Sequence, residues 1–183
     1  MSKRICFLGN CQTVGLCSYV SRTPSKPQCK WLCMDMRWSR WSNSEKTFGA
    51  EQLKNHEYIV SKYPDILINC DVIVYQPHHE ISKFFTINKI RSFQHIKRIP
   101  ISPIFVDRIP YMKKKEQKYN CDIKISSIIK NNRDKKLHVK HKNNHPSTFL
   151  LLEITKQICN ISEISYFSEQ EYNDLLKIQY PNY

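Results

Sequence analysis

Short apolar runs alternate along this chain with segments whose apolar residues recur at helical spacing. The clearest run is CDVIVY, residues 70–75, which is continuous and rich in β-branched residues. Such a run is typical of a buried strand in a parallel sheet. Alternation of strands and helices predicts a layered α/β domain with a mainly parallel sheet. Because the chain has 183 residues, no repeats and no linker, we expect a single domain over residues 1–183.

The same patterns predict the remaining elements. Further strands are expected at residues 3–8 and 29–36. Residues 98–106 are extended and apolar, but their two prolines restrict them to an edge strand or a loop that lines the core. The strongest helix covers residues 147–159, with Ser147 as its N-cap. Other helices are predicted at residues 11–20, 50–63, 87–96 and 168–177, with one more amphipathic helix at the isoleucines of 123–129 and a loop at 37–49.

Glycine is unusually scarce, with three residues against about 13 expected from average usage. Gly9 and Gly15 bracket Cys11, just after the first predicted strand. A chain so sparing with glycine is expected to place it where no other residue fits. The sequence also lacks the glycine-rich dinucleotide loop and the P-loop, which excludes Rossmann-type NAD binding and P-loop NTPase chemistry.

Two polar segments follow predicted strands directly. Gly9-Asn10-Cys11-Gln12 follows the first strand, and Gln76-Pro77-His78-His79 follows the CDVIVY strand. In a parallel α/β sheet, ligands bind outside the carboxyl ends of the strands. We therefore expect both segments to open onto the same edge of the sheet.

Cys11 is the candidate nucleophile. At the start of a helix, free N–H groups and the helix dipole favour an anion and lower the pKa of a thiol. The same N–H groups can hold the oxyanion of an acyl transfer, and Asn10 and Gln12 add amide donors. The alternative interpretation is a buried structural cysteine behind a glycine needed for helix–strand packing.

A thiolate nucleophile needs a base or an ion-pair partner. His145 is the favoured partner because it lies in the segment NHPS, residues 144–147, where a proline fixes the backbone at the start of the strongest helix. A solvated surface role is the alternative for each histidine. The other histidines considered are His78 and His79 after the CDVIVY strand, and His138 and His141 in a basic segment where solvation is expected.

Eight cysteines raise the questions of metal binding and compartment. Cys29 and Cys33 are spaced CxxxC and no CxxC pair occurs, so structural zinc is disfavoured. The sequence has no apolar run of 18 residues, and its first apolar stretch is too short for a signal peptide. We expect a cytoplasmic protein with reduced thiols and no metal site.

The net charge of +13 is concentrated in one segment. Residues 112–142 carry eleven Lys or Arg and three Asp or Glu. A basic segment of this size attracts nucleic acid, an anionic membrane or a phosphorylated small molecule, and a solvated lysine-rich surface is the alternative. The segment RWSRW, residues 37–41, interleaves cations with aromatic rings as stacking surfaces do, although no nucleic-acid-binding motif is recognisable.

Three short segments in order, FLGNCQ, CDVIVYQP and NHPS, resemble the WcbI-like polysaccharide-biosynthesis family of acetyltransferases, which is distantly related to SGNH/GDSL esterases. The resemblance covers roughly residues 3–160. It implies an SGNH-like three-layer α/β sandwich and a cleft for coenzyme A. By position, Cys11 replaces the nucleophilic serine, His145 matches the late histidine and Gln76 lies near an oxyanion-hole donor. Lys142 departs from the pattern, because SGNH enzymes usually have aspartate there.

The resulting hypothesis is a coenzyme A-dependent acyltransferase that O-acetylates a sugar hydroxyl during glycan assembly. Transfer through an acyl-cysteine and direct transfer are both open. A thiol esterase or deacetylase of the same fold and a non-enzymatic nucleic-acid-binding module at residues 112–142 are the alternatives. Cys11 and His145 are the predicted catalytic residues, and the predicted acetyl-CoA-binding residues are Gly9, Asn10, Gln12, Gln76, His78, His79, Asn144 and Ser147.

Overall fold

A computed structural model describes residues 2–33, 69–76, 95–139 and 142–178. Within these ranges, four parallel strands form one sheet in the order β2-β1-β3-β4. The strands are β1 (Arg4–Gly9), β2 (Gln28–Cys33), β3 (Val72–Tyr75) and β4 (Lys97–Pro100). The predicted α/β class with a mainly parallel sheet is confirmed. Residues 98–100 lie in β4, the outermost described strand on its side, as the two prolines of residues 98–106 predict.

The centre of the sheet is apolar on both faces. Along β1, Ile5, Cys6, Phe7 and Leu8 are each no more than 4% exposed, although alternate residues point to opposite faces. Val72, Ile73 and Val74 of β3 are buried in the same way. A strand covered on both faces needs a continuous apolar run, and this is why CDVIVY identified a central strand correctly.

Three helices agree with the sequence predictions. The first is α1 (Cys11–Ser21), which follows β1. Thr148–Ser162 and Glu169–Lys177 form two carboxyl-terminal helices, which Ser147 and Ser168 cap with their side chains. On the longer of these two helices Leu152, Ile154 and Ile158 are buried and Phe149 is half-buried, so its predicted apolar face is confirmed.

The basic segment contains more structure than its isoleucines predict. It forms two helices, α2 (Ile109–Lys118) and α3 (Ile125–Asn131). The two carboxyl-terminal helices, Thr148–Ser162 and Glu169–Lys177, are therefore α4 and α5. Ile125, Ile128 and Ile129 are buried on α3, as expected for an amphipathic helix. α2 was not predicted. A short antiparallel hairpin, β5 (His138–Val139) and β6 (Lys142–Pro146), then leads into α4.

Some predictions fall outside the described residues. These are the loop at 37–49, the helix at 50–63, the last three residues of the strand at 29–36 and most of the helix at 87–96. No helix in the described part of the chain is long and apolar enough to cross a membrane.

Candidate active site

The ends of β1 and β3 lie side by side at the carboxyl edge of the sheet. Leu8 is in register with Tyr75, and the N–H of Gln76 donates to the Leu8 carbonyl at 3.0 Å. Gly9 and Gln76 are therefore neighbours, as expected for residues that follow adjacent parallel strands. This edge is also the switch point of the sheet, since β2 lies on one side of β1 and the later strands lie on the other. Open α/β sheets bind their ligands at this point.

Gly9 occupies a position with no room for a side chain. A Cβ built on it would lie 2.6 Å from Thr13 Cγ2 and 2.9 Å from Gln76 Oε1. Cβ atoms essentially never approach other heavy atoms within 3.0 Å. The backbone of Gly9 does not have a positive φ, so close approach of neighbouring side chains is what requires glycine. The prediction drawn from glycine scarcity is confirmed at this position.

Asn10 connects the two strand ends and caps α1. Its Oδ1 accepts the N–H of Gln12 at 2.9 Å, and its own N–H donates to Gln76 Oε1 at 3.1 Å. The side chain therefore satisfies a helix N–H that has no partner within the helix. Asn10 fixes the turn geometry through both bonds.

Gln12 and Gln76 form a buried amide network with the chain that follows β4. Gln12 is 5% exposed and Gln76 is 7% exposed. Gln12 Oε1 accepts from Gln76 Nε2 at 3.1 Å and from the Ile104 N–H at 2.9 Å, while Gln12 Nε2 donates to the Ile104 carbonyl at 2.8 Å. Gln12 thus binds both the N–H and the carbonyl of Ile104. The sequence predicted that the Gln12 amide donates to a ligand, but one of its N–H groups instead donates to the protein backbone.

Ile104, Thr13 and Trp31 belong to this network and were not identified from the sequence. Thr13 is fully buried, donates its hydroxyl to the Asn10 carbonyl at 2.7 Å and accepts from Trp31 Nε1 at 2.9 Å. The two prolines of residues 98–106 were the available signal for Ile104. Extended chain that cannot complete a strand ladder must satisfy its N–H and carbonyl groups with side chains.

Cys11 is the first residue of α1, directly after the N-cap. The first turn of α1 contains no acidic residue, so no carboxylate of that turn offsets the positive end of the helix dipole. Asn10 accepts the N–H of Gln12 through its side chain and the N–H of Thr13 through its carbonyl. The N–H groups of Gln12 and Thr13 are therefore already hydrogen-bonded within the turn. The positive end of the helix dipole still favours an anion at this position.

The segment NHPS forms the end of β6 and the cap of α4. Ser147 Oγ accepts the N–H of Leu150 at 3.2 Å, and His145 is half-buried on β6. Tyr19 Oη lies 3.4 Å from Thr148 Oγ1. Tyr19 is eight residues after Cys11, about 12 Å along the helix. This hydrogen bond joins α4 to the second half of α1, and the pairing of His145 with Cys11 stays a prediction.

The remaining predicted residues divide between β6 and the undescribed part of the chain. Asn144 and Lys142 lie on β6. His78 and His79, like Pro77, fall outside the described residues.

His138 differs from the solvated histidine that its basic surroundings predict. It lies opposite Pro146 in the hairpin and is half-buried. Its Nδ1 is shielded from solvent and has no hydrogen-bond partner. His138 and His145 are thus both half-buried imidazoles among the described residues of the hairpin.

The six cysteines whose side chains are described are free thiols, and four of them form two hydrogen-bonded pairs. Cys6 donates to Cys70, and Cys29 donates to Cys17, which lowers the pKa of Cys70 and of Cys17. Burial raises the pKa of both Cys121 and Cys159 to about 12. In the described part of the chain, no group of three His, Cys, Asp or Glu side chains is arranged to hold a metal ion.

Comparisons of the chain with protein-family models, with curated proteins and with solved structures find no match. A functional assignment therefore depends on the chemistry of the site and on the sequence resemblance.

Proposed function

We propose that the protein is a coenzyme A-dependent acyltransferase with an SGNH-like three-layer sandwich fold, which acetylates a sugar hydroxyl in glycan synthesis. The observation that carries the proposal is the meeting of the α1 amino terminus, Gly9 and the buried amide of Gln76 at the switch point of the sheet. The resemblance to the WcbI-like family supplies the substrate class. Because acyl-CoA is an intracellular donor and free thiols persist in reducing compartments, we assign the reaction to the cytoplasm.

The described residues suit an anionic acyl donor at this edge. Acetyl-CoA supplies an activated acyl group as a thioester and carries several phosphate charges. The first turn of α1 presents the positive end of a helix dipole without a carboxylate, which favours negative charge there. The net charge of +13 favours the same ligand at long range.

Gln76 suits a role in oxyanion stabilisation. An amide nitrogen carries two hydrogens, and the bond to Gln12 Oε1 uses one of them. We assign the second hydrogen, together with the backbone N–H of Cys11, to the oxygen that gains charge during acyl transfer. The bonds of Gln76 to Asn10 and Gln12 fix the amide before the reaction, and donors fixed in this way do not have to reorganise as the charge develops.

Cys11 is the proposed nucleophile. Its thiolate attacks the acyl carbonyl, a new C–S bond forms, and the C–S bond of the donor breaks with release of a thiolate that takes up a proton. One thioester replaces another, so the step is close to thermoneutral. A sugar hydroxyl then attacks the acyl-cysteine, and the Cys11 thiolate leaves.

His145 is the proposed general base for the second step. Its imidazole accepts the proton of the sugar hydroxyl as the new ester bond forms. Aspartate is absent three residues earlier, where Lys142 stands, so the imidazole is oriented by a different group from the one that SGNH enzymes use. Direct attack of the hydroxyl on the acyl donor, with the same base, is the simpler variant of this mechanism.

Release of the coenzyme A thiol tests the proposal. Purified protein is incubated with acetyl-CoA and a panel of sugars, and thiol release is followed with a chromogenic disulfide after quenching. We expect acceptor-dependent release that His145→Ala abolishes and that the control Cys159→Ala retains. Cys11→Ala abolishes the release in the acyl-cysteine route and retains it in the direct route. Intact mass of the quenched protein distinguishes the two routes, because an acyl-cysteine adds one acetyl group.

The esterase alternative predicts a different result in the same experiment. A thiol esterase would hydrolyse simple acetyl esters without coenzyme A, and Cys11→Ala would abolish that hydrolysis. If no sugar accelerates thiol release and ester hydrolysis is efficient, the transferase assignment is wrong and the esterase is correct.

A further inference from the structure

The exposed face of α2 combines lysines with tyrosine rings. Lys113, Lys114 and Lys118 are exposed and Lys115 is half-buried, all within one helix of ten residues. Tyr111 is 45% exposed, which makes it one of the few large exposed side chains of apolar character in the described part of the chain. Four cations and an exposed ring thus share one short helix.

The rings are ordered by contacts with the lysines. Lys115 Nζ lies 5.4 Å from the Tyr111 ring centroid and 5.6 Å from that of Tyr119, and Lys118 Nζ lies 5.3 Å from the Tyr119 centroid. Phe105 supports Tyr111 edge-on, with 5.8 Å between centroids. Tyr111 and Tyr119 are eight residues apart, about 12 Å along a helix. We call Tyr111, Lys114, Lys115, Lys118 and Tyr119 the α2 stripe.

Among the described residues, no carboxylate forms an ion pair with a lysine of the stripe. Glu116, the one acid of α2, is 3% exposed, and its carboxylate accepts from the N–H and hydroxyl of Ser126 and from the hydroxyl of Ser102. Its charge is therefore directed into the protein. The ion pairs among the described residues involve other cations: Lys3, Arg4, Lys97, Lys135 and Lys177.

We propose that the α2 stripe binds single-stranded nucleic acid. Lysines bind phosphates as point charges, and exposed aromatic rings stack with bases of any sequence. Single strands are favoured because bases within a duplex are already stacked and cannot reach the rings. An anionic membrane is disfavoured because α2 exposes no Leu, Ile or Phe that would insert between lipids.

Fluorescence anisotropy with a labelled single-stranded RNA of mixed sequence tests the proposal. Three phosphate contacts by Lys114, Lys115 and Lys118 give a slope of about −2.1 for log affinity against log salt, from about −0.7 per contact. Affinity then falls about 18-fold between 50 and 200 mM salt. Lys114→Gln combined with Lys118→Gln leaves one contact, which lowers the slope to about −0.7 and the fall in affinity to about 2.6-fold.

Matched variants separate the stripe from net charge. Lys30→Gln combined with Lys156→Gln removes the same charge from exposed positions on β2 and α4, and should leave the slope unchanged. Tyr111→Phe retains a stacking ring and should bind like the natural protein. Tyr111→Leu should weaken binding by about 5-fold or more, in line with the loss of one stacked base. Unchanged circular dichroism spectra establish that each variant is folded.

Three results would overturn the proposal. The first is the same salt slope for the α2 double variant and for its charge-matched control. The second is equal binding to anionic vesicles or to duplex RNA, and the third is no binding at all at 50 mM salt. Cys11→Ala should bind RNA normally, which makes this result independent of the acyltransferase proposal.

Discussion

Replacing Gly9 with alanine tests the packing at the switch point. The added Cβ would lie 2.6 Å from Thr13 Cγ2 and 2.9 Å from Gln76 Oε1. Thr13 is fully buried and bonded to Asn10 and Trp31, so it has little freedom to move. Relief must come from a shift of the backbone or of the Gln76 amide.

The cost follows from these contacts. Overpacking a closely packed site destabilises a protein by about 1–3 kcal/mol. Displacement of Gln76 also weakens its bond to the Asn10 N–H, which contributes about 1 kcal/mol. We therefore expect Gly9→Ala to lower the free energy of unfolding by about 2–4 kcal/mol, a large share of the 5–15 kcal/mol typical of a domain.

Thr13→Ser tests whether contact with Thr13 Cγ2 causes the destabilisation by Gly9→Ala. It removes Cγ2 and keeps the hydroxyl that bonds Asn10 and Trp31, so alone it should cost about 1 kcal/mol for one buried methyl group. In the double variant the closest contact is gone, and we expect the two changes together to cost less than their sum. Urea unfolding followed by circular dichroism measures all four proteins. A loss below 0.5 kcal/mol for Gly9→Ala, taken as roughly the additivity error, or costs that simply add, would refute this reasoning.

Three further predictions concern other parts of the fold. Glu116→Gln should lower the free energy of unfolding by about 1.5–3 kcal/mol per lost charged hydrogen bond, measured by urea unfolding. Alkylation at pH 8 followed by fragment mass spectrometry should modify Cys17 before Cys159, because a thiol hydrogen bond lowers the pKa of Cys17 while burial raises that of Cys159 to about 12. The Ser168 N–H and hydroxyl hold the pKa of Glu171 below its ordinary value. The stabilisation of α5 by this cap is therefore present above the ordinary carboxylate pKa and is lost as pH falls through the lowered value. NMR titration of Glu171 and amide exchange in α5 measure this loss, and an unshifted pKa of Glu171 would contradict it. Faster alkylation of Cys159 than of Cys17 would contradict the prediction for the thiols.

Local signals were sufficient for the central elements of the fold. The CDVIVY run identified β3 because a strand covered on both faces must be apolar throughout. Ser147 and Ser168 marked the starts of α4 and α5 because a helix N–H needs a nearby acceptor, and both serines supply it. The adjacency of Gly9 and Gln76 followed from the rule for parallel strands.

Long-range pairing was what the sequence could not reveal. In the sequence, Glu116 is a single acid among lysines, which does not predict burial. Its carboxylate is buried because it accepts hydrogen bonds from Ser102, which follows β4, and from Ser126 on α3. Gln12, which was predicted to donate to a ligand, instead forms two hydrogen bonds with the backbone of Ile104, ninety-two residues away. The β5–β6 hairpin has no apolar alternation, and the N–H of Ser147, which caps α4, donates to the carbonyl of Leu137 just before β5.

Calorimetric titration of coenzyme A tests the central claim most directly. We expect one molecule bound per chain with a dissociation constant below about 1 mM, which corresponds to about −4 kcal/mol of binding free energy. Cys11→Ala should still bind coenzyme A and, in the acyl-cysteine route, fail in acyl transfer, because it removes the nucleophile and leaves the backbone N–H groups of the helix terminus in place. No measurable heat at millimolar coenzyme A, with a protein shown to be folded, would contradict the assignment of this sheet edge to acyl transfer.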